Sequence, residues 1–284
     1  MSDLAIEVKG LRKAYGGLEA VRGIDFDVRS GEVFGLLGPN GAGKTTTVEI
    51  LEGYRRRDAG HVEVLGVDPA EAGSEWRERI GVVLQSSAMY ETLTVAEMLS
   101  LFAGYYERPR PVDEVVELVG LKEKRGDRVR RLSGGQRRRL DLGIALVGDP
   151  ELIFLDEPTT GFDPHARRQA WETLRSLRGL GKTIVLTTHY LDEAERLADR
   201  VGVLRSGEIV AMGPPSQLIG SVQATEIRYR DNGREVVLET DEPTRVLHEL
   251  TAKAMADNRE LEGLVVRRPS LEDVYLSLTE EQAE

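Results

Sequence analysis

Two stretches of this 284-residue sequence hold residue types whose spacing could do chemistry on phosphate. The first is Gly38-Pro39-Asn40-Gly41-Ala42-Gly43-Lys44-Thr45, with Thr46 following. It is an instance of G-x-x-x-x-G-K-[ST] set between the apolar run Val33–Leu37 and a helical pattern. Glycines let a backbone wrap phosphates with its N–H groups pointing inward, and the N-terminus of the next helix adds partial positive charge. In such a loop Lys44 meets the outer phosphates of a nucleotide and Thr45 places its hydroxyl on Mg²⁺. A glycine-rich turn before a chance Lys-Thr is the plain alternative. The strand before and the helix after favour the phosphate reading.

The second stretch is Glu151-Leu152-Ile153-Phe154-Leu155-Asp156-Glu157-Pro158, an apolar strand ending in two acids. Ligands bind at the carboxyl ends of strands in α/β sheets. Asp156 is expected to hold Mg²⁺ through water. Glu157 is placed to polarise an attacking water as general base. Alone, the run fits a strand stopping at a solvated acidic turn equally well; beside a phosphate loop, the catalytic reading is the stronger.

Between them stands Leu132-Ser133-Gly134-Gly135-Gln136. Ser133 and Gln136 fit a capping box, S-x-x-Q, opening a helix over Gly135–Val147. A capped helix N-terminus is also an anion site, so the two roles are compatible. Around it cluster Arg128, Arg130, Arg131, Arg137, Arg138 and Arg139, which read by default as a solvated face or a set of ion pairs.

With these three runs in order, the sequence resembles the ATP-binding-cassette (ABC) ATPases over residues 5–215. The resemblance implies that the ligand is MgATP. It implies that Ser133 binds the γ-phosphate of ATP held by the opposite chain's phosphate loop, with Gly134, Gly135 and Gln136 in the same cofactor-binding run. Tyr15 matches the aromatic that stacks on adenine. Gln85 matches the residue that contacts Mg²⁺ and the water and senses the transmembrane partner. Asp163, in Gly161-Phe162-Asp163-Pro164, matches the loop crossing the dimer interface. His189, after Thr187-Thr188, matches the switch histidine on the γ-phosphate. Each has a bland counterpart. Asp163 before Pro164 also fits a helix N-cap with Pro at N1; a lone His is often structural; and Tyr15 could pack on a loop.

The elements that must position these residues follow from the apolar pattern. Ile6–Leu11, Ile24–Val28, Val33–Leu37, His61–Val64, Ile80–Leu84, Leu152–Leu155, Thr183–Thr187 and Val201–Leu204 read as strands. Thr45–Gly53, Val95–Tyr106, Val112–Val119, Gly135–Val147, Pro164–Leu177 and Leu191–Ala198 read as helices. Continuous apolar strands alternating with helices argue for an α/β domain with a largely parallel core sheet, while the early strands look like antiparallel hairpins. The fold expected from the resemblance is a P-loop NTPase of ABC type. It has a mixed core sheet, an antiparallel β subdomain and a helical subdomain over about 86–145, all within residues 1–220. Residues 221–284 are expected to form a small C-terminal α+β domain. There Asp231-Asn232-Gly233 signals a hairpin, Asp241 is a cap candidate for a helix with Pro243 in its first turn, and Ser270-Leu271-Glu272-Asp273 opens a last helix in capping-box fashion.

Composition narrows the partners. Hydrophobic residues are 40% and charged residues 31%, as in globular proteins, and no run approaches the ~20 apolar residues of a membrane-spanning helix. The first residues have no basic-then-apolar pattern, so no signal peptide is expected. The absence of cysteine excludes disulfides and thiolate metal sites and suits a cytosolic protein. A net charge of −11 is unfavourable for gripping nucleic acid, and no nucleic acid partner is expected. The stretches Leu186–Glu195 and Pro269–Tyr275 resemble the daunorubicin-resistance-like branch of bacterial exporters. That resemblance implies an ABC-2 type permease in a separate chain, a second copy of this chain completing an ATP-sandwiched head-to-tail dimer, and a place on the inner face of the cell membrane. Met89, Tyr90, Leu93, Phe102, Tyr105 and Tyr106 are read as either a helical core face or part of the groove that receives the permease. Two other readings are a non-transport ABC ATPase acting on ribosomes or DNA, and a regulatory module that holds ATP without hydrolysis. The single cassette without coiled coil or cysteines disfavours the first; Glu157 and His189 disfavour the second.

Overall fold

The structure, a computed structural model, describes residues 3–84, 89–160, 162–221, 225–231, 233–267 and 269–280. The chain divides into two compact units, Met1–Met212 and Gly213–Glu284.

The first unit opens with β1 (Leu4–Tyr15), β2 (Leu18–Arg29) and β3 (Val33–Leu37), then α1 (Lys44–Leu51), β4 (Ala59–Val64), α2 (Ser74–Glu78) and β5 (Ile80–Val83). Next come α3 (Val95–Ala103), α4 (Val112–Leu118) and α5 (Gly134–Leu146). The unit continues with β6 (Leu152–Asp156), α6 (Pro164–Gly179), β7 (Thr183–Thr188), α7 (Leu191–Leu197), β8 (Arg200–Arg205) and β9 (Glu208–Gly213). A six-stranded sheet runs β5-β6-β7-β3-β8-β9, with parallel pairing of β5 to β6, β6 to β7, β7 to β3 and β3 to β8. A separate antiparallel sheet has the order β2-β1-β4.

Alternation along the parallel strands explains why they read as unbroken apolar runs. Val33, Ile153, Leu155, Ile184 and Leu186 join one core cluster, with Met98 and Leu99 of α3, Val115 and Val116 of α4, Leu140 of α5 and Trp171 of α6. Phe34, Leu36, Leu152, Phe154 and Val185 face the other, with Ile6 and Val8 of β1, Phe26 of β2 and Val48 of α1. Each strand therefore buries both faces, as a covered parallel sheet requires. Phe26 stacks on Phe34 with ring centroids 5.4 Å apart, joining the two sheets.

In the helical region, Thr94 and Glu97 form a full capping box that starts α3. The helix ends at Ala103, with Gly104 as C-cap, so the expected extension to Tyr106 is a turn. The short α2 and the strand β9 were not anticipated. Trp76 anchors α2, buried and donating through Nε1 to the Val64 carbonyl at 2.8 Å.

The second unit comprises α8 (Pro215–Ser221), β10 (Thr225–Asp231), β11 (Arg234–Thr240), α9 (Pro243–Ala256), β12 (Glu262–Arg267) and α10 (Leu271–Glu280). Its antiparallel sheet has the order β11-β10-β12. The boundary falls ahead of α8, which packs on α10 within this unit. The N-cap of α9 is Glu242, not Asp241, and it makes no side-chain cap; its amide donates instead to Thr240 Oγ1 at 3.0 Å. At α10, Asp273 accepts from both the amide and the hydroxyl of Ser270 at 2.8 and 2.7 Å.

Candidate active site

The phosphate loop joins the buried β3 to α1, and its glycines are fixed by crowding as much as by dihedral freedom. Gly38 has φ 155°, and a Cβ there would lie 2.2 Å from the Leu204 carbonyl oxygen. Gly43 has φ 105°, and a Cβ would lie 2.4 Å from the Ala20 carbonyl oxygen. Neither position admits a side chain without backbone movement. Pro39, Asn40 and Gly41 are exposed at the loop's crest, Ala42 is buried beneath, and Thr45 is exposed at the first turn of α1. Lys44 is folded back into the loop: its Nζ donates to the carbonyls of Gly38 at 2.7 Å and Pro39 at 3.2 Å. Burial holds its ammonium below the ordinary value, and the neighbouring Glu157 and Asp156 carboxylates oppose that shift.

The two acids stand at the carboxyl end of β6. Asp156 pairs in register with Thr187 of β7, and Thr187 Oγ1 donates to Asp156 Oδ1 at 2.5 Å. Glu157 follows in the left-handed region at φ 46°. A non-glycine residue there costs on the order of 1–3 kcal/mol and persists only where its surroundings determine it. They do: its amide donates to the Thr187 carbonyl at 3.1 Å and to Thr187 Oγ1 at 3.0 Å. The turn aims the carboxylate back over the phosphate loop. Oε1 lies 4.0 Å from Lys44 Nζ and 3.2 Å from His189 Nδ1, and Thr160 Oγ1 donates to Oε2 at 3.1 Å. His189 follows β7 directly and packs on the Tyr190 ring at 4.1 Å; the Arg167 guanidinium covers that ring at 4.3 Å.

One cleft of about 490 Å³ gathers Tyr15, Pro39, Asn40, Gly41, Gly43, Lys44, Thr45, Thr46, Asp156 and Glu157. Tyr15 is 39% exposed at its rim, with the Arg55 guanidinium 5.2 Å from its ring centroid. A second cleft, of about 670 Å³, holds Ser133, Gly134, Gly135, Gln136 and Asp163, and the two share no lining residue. Ser133 caps α5 as a full capping box: Gln136 N donates to Ser133 Oγ at 3.3 Å, and Ser133 N donates to Gln136 Oε1 at 2.9 Å. Asp163 accepts from the Ala166 amide at 2.9 Å, the N-cap contact expected before Pro164. Gln85 lies outside the described residues.

The arginine cluster resolves into different environments. Arg128, Arg130 and Arg131 are exposed, and Arg137 pairs with Glu91 at 3.1 Å. Arg138 is turned inward and donates to backbone carbonyls around the acidic pair. Thr160, Thr187, Tyr190 and Arg138 are contacts to which sequence reasoning gave no role at the acidic pair; Arg138 was read only as part of a solvated or ion-paired cluster. For Arg138 a signal existed: it stands one helical turn before the buried Leu142, on the stripe that continues to Ala145. Of the Met89–Tyr106 aromatic and apolar set, Met89, Leu93, Phe102 and Tyr106 pack on the core, whereas Tyr90 and Tyr105 are exposed.

A glycine-walled loop at a helix N-terminus, facing a carboxylate pair at the end of β6, one strand removed in the sheet, defines a P-loop nucleotide hydrolase. The profile described as ABC transporter matches residues 21–160. Along its full length the chain is 42% identical to Nod factor export ATP-binding protein I of Rhizobium sp. (strain N33), with 100% of each chain covered. It is 38% identical to daunorubicin resistance ATP-binding protein DrrA3 of Streptomyces coeruleorubidus, over 98% of this chain and 97% of that one. Among solved structures it is similar to cbiO1 from Clostridium perfringens, part of the ABC transporter complex cbiONQ. The TM-score is 0.70 at 27% identity, over 78% of this chain and 92% of the other. The chain belongs to the ABC transporter family, as an ATP-binding and ATP-hydrolysing subunit.

Proposed function

We propose that this chain hydrolyses MgATP in a site completed by a second copy of itself, and that the cycle drives export through a separate ABC-2 type permease. The observation that carries the hydrolytic part is the approach of Lys44 and His189 to one carboxylate oxygen of Glu157, which lines the same cleft as Lys44, Thr45 and Asp156. In this reading the loop amides and Lys44 bind the β- and γ-phosphates. Glu157 takes a proton from the attacking water, and His189 steadies the Glu157 carboxylate through Nδ1 while its other nitrogen is left for the γ-phosphate. Tyr15 offers its ring to adenine.

The donor set fits Mg²⁺. The Thr45 hydroxyl and the Asp156 carboxylate are hard oxygen ligands. Among the described residues no cluster of three or more His, Asp or Glu offers an all-protein cage, so phosphate and water oxygens would complete the shell. Once bound, the ion neutralises charge on the transferred phosphoryl group.

Completion by a second copy is supported by the separation of the two clefts. Ser133, Gly134, Gly135 and Gln136 form an anion-accepting helix start that does not line the cleft of Lys44. Each chain thus carries two half-sites, and a two-fold, head-to-tail pair closes both. Asp163 stands in the Ser133 cleft, where such a partner would meet it.

Among the described residues no helix is long and apolar enough to cross a membrane, so the pathway is assigned to the permease. Relatives named for Nod factor export and daunorubicin resistance support export. In this reading the exposed Tyr90 and Tyr105 belong to the permease groove, and the chain sits on the inner membrane face. The test is phosphate release from MgATP by the purified chain, alone and in a detergent-solubilised complex with its candidate permease. Release that rises with the permease and is lost in Glu157→Gln is expected. ATP binding without release in either preparation would contradict the reading.

A further inference from the structure

Arg138 stands in the second turn of α5, with only 13% of its side chain exposed. Its guanidinium reaches four backbone carbonyls. Nη2 donates to Asp156 O at 2.9 Å and lies 3.5 Å from Glu157 O; Nε donates to Pro158 O at 3.3 Å; Nη1 donates to Leu84 O. The Asp141 carboxylate, one turn along α5, lies 4.0 Å away and balances part of the charge. Carbonyls at the carboxyl ends of parallel strands have run out of sheet partners and must find donors elsewhere. A planar fork with five N–H groups meets several such acceptors at once, as a lysine cannot.

These acceptors bracket Glu157, the one residue of this turn held in the left-handed region, at φ 46°. Thr187 fixes its amide side, and Arg138 holds the carbonyls before and after it. A carboxylate carried on a strained turn is aimed only as well as that turn is held.

We propose that Arg138 is a positioning residue for hydrolysis: by gripping the backbone on both sides of Glu157 and at Leu84, just past β5, it fixes the turn that directs the Glu157 carboxylate at Lys44 and His189. The inference rests on Glu157 being the general base. It makes α5, the helix that Ser133 opens, the support of that base.

The experiment measures steady-state hydrolysis and binding of a fluorescent ATP analogue by the full chain carrying Arg138→Gln, Arg138→Lys, Glu157→Gln, or Arg138→Gln with Glu157→Gln. Arg138→Gln is expected to lower kcat by about 10- to 100-fold, the scale of a misplaced catalytic group. KM and analogue affinity should change by less than about threefold, since the phosphate loop is untouched. Arg138→Lys, which keeps the charge but not the fork, should fall between. Adding Arg138→Gln to Glu157→Gln should cost nothing further, because Arg138 acts through Glu157. Should Arg138→Gln fold poorly, Arg138→Lys, alone and combined with Glu157→Gln, carries the same readouts. Wild-type kcat in the Arg138 variants, or losses that multiply in the double variant, would overturn the inference while leaving Glu157 as base. Wild-type kcat in Glu157→Gln would overturn both.

Discussion

Lys44 Nζ and Glu157 Oε1 lie 4.0 Å apart, with the lysine already bonded to two carbonyls of its own loop. The cation that would grip the phosphates and the acid that would activate water thus share one desolvated space. Burial works against the charge on Lys44, and the two carboxylates sustain it.

Lys44→Met should therefore separate binding from stability. It removes a charge that burial disfavours, so the melting temperature without nucleotide should stay within a few degrees of wild type. ATP protection should vanish: ligand at 100 times Kd stabilises a site by about 2.7 kcal/mol, and a variant that does not bind gains none. Thermal melts with and without MgATP check this. A large loss of stability before nucleotide is added would mean that Lys44 holds the loop together.

Ser133→Ala tests the two roles that meet at one hydroxyl. Loss of the cap should cost about 1 kcal/mol, which for a chain of this size lowers the melting temperature by a few degrees. Hydrolysis should fall far more than that accounts for, while ATP affinity of the separate chain is unchanged, because Ser133 and Lys44 line different clefts. A decline in hydrolysis no greater than the loss of folded protein would leave Ser133 as a cap alone.

Glu52, just past α1, introduces a dependence on pH. Burial raises its carboxyl to about 8, and the like charges of Asp156 and Glu49 add to the effect. The unfolded chain loses this proton near 4.5, the folded chain near 8. Between those values the folded state binds more protons, so stability declines as pH rises through the window. Glu52→Gln should remove that decline. In melts without nucleotide or Mg²⁺, its advantage over wild type should grow from about pH 5 to about pH 9, by an amount on the order of a few kcal/mol. A constant difference across the range would show that Glu52 ionises normally.

The phosphate loop was legible in the sequence because its chemistry is contiguous: Gly38 to Thr45 supply glycines, amides and ammonium within one turn of chain. The capping box at Ser133 was legible for the same reason, its partner Gln136 being three residues away. The contacts that crowd Gly38 and Gly43 come from Leu204 and Ala20, and nothing local announces them. The support of Glu157 was likewise hidden. Thr187 meets it only through the register of β6 with β7, and Arg138 only through the packing of α5 under two strand ends. Where helices end was also beyond local pattern: the apolar spacing ran on to Tyr106, but α3 stops at Ala103, and Tyr106 still packs on the core from a turn. The cap of α9 moved from Asp241 to Glu242 because the Thr240 hydroxyl takes the Glu242 amide.

In the proposed cycle one copy alone does not close the ATP site, and the mass of Glu157→Gln in solution tests this most directly. Light scattering on the full-length variant should give one chain, 31.5 kDa, without nucleotide and about twice that with MgATP. The same shift should be absent when Ser133→Ala is added. A variant that binds ATP and remains at 31.5 kDa would contradict the shared site.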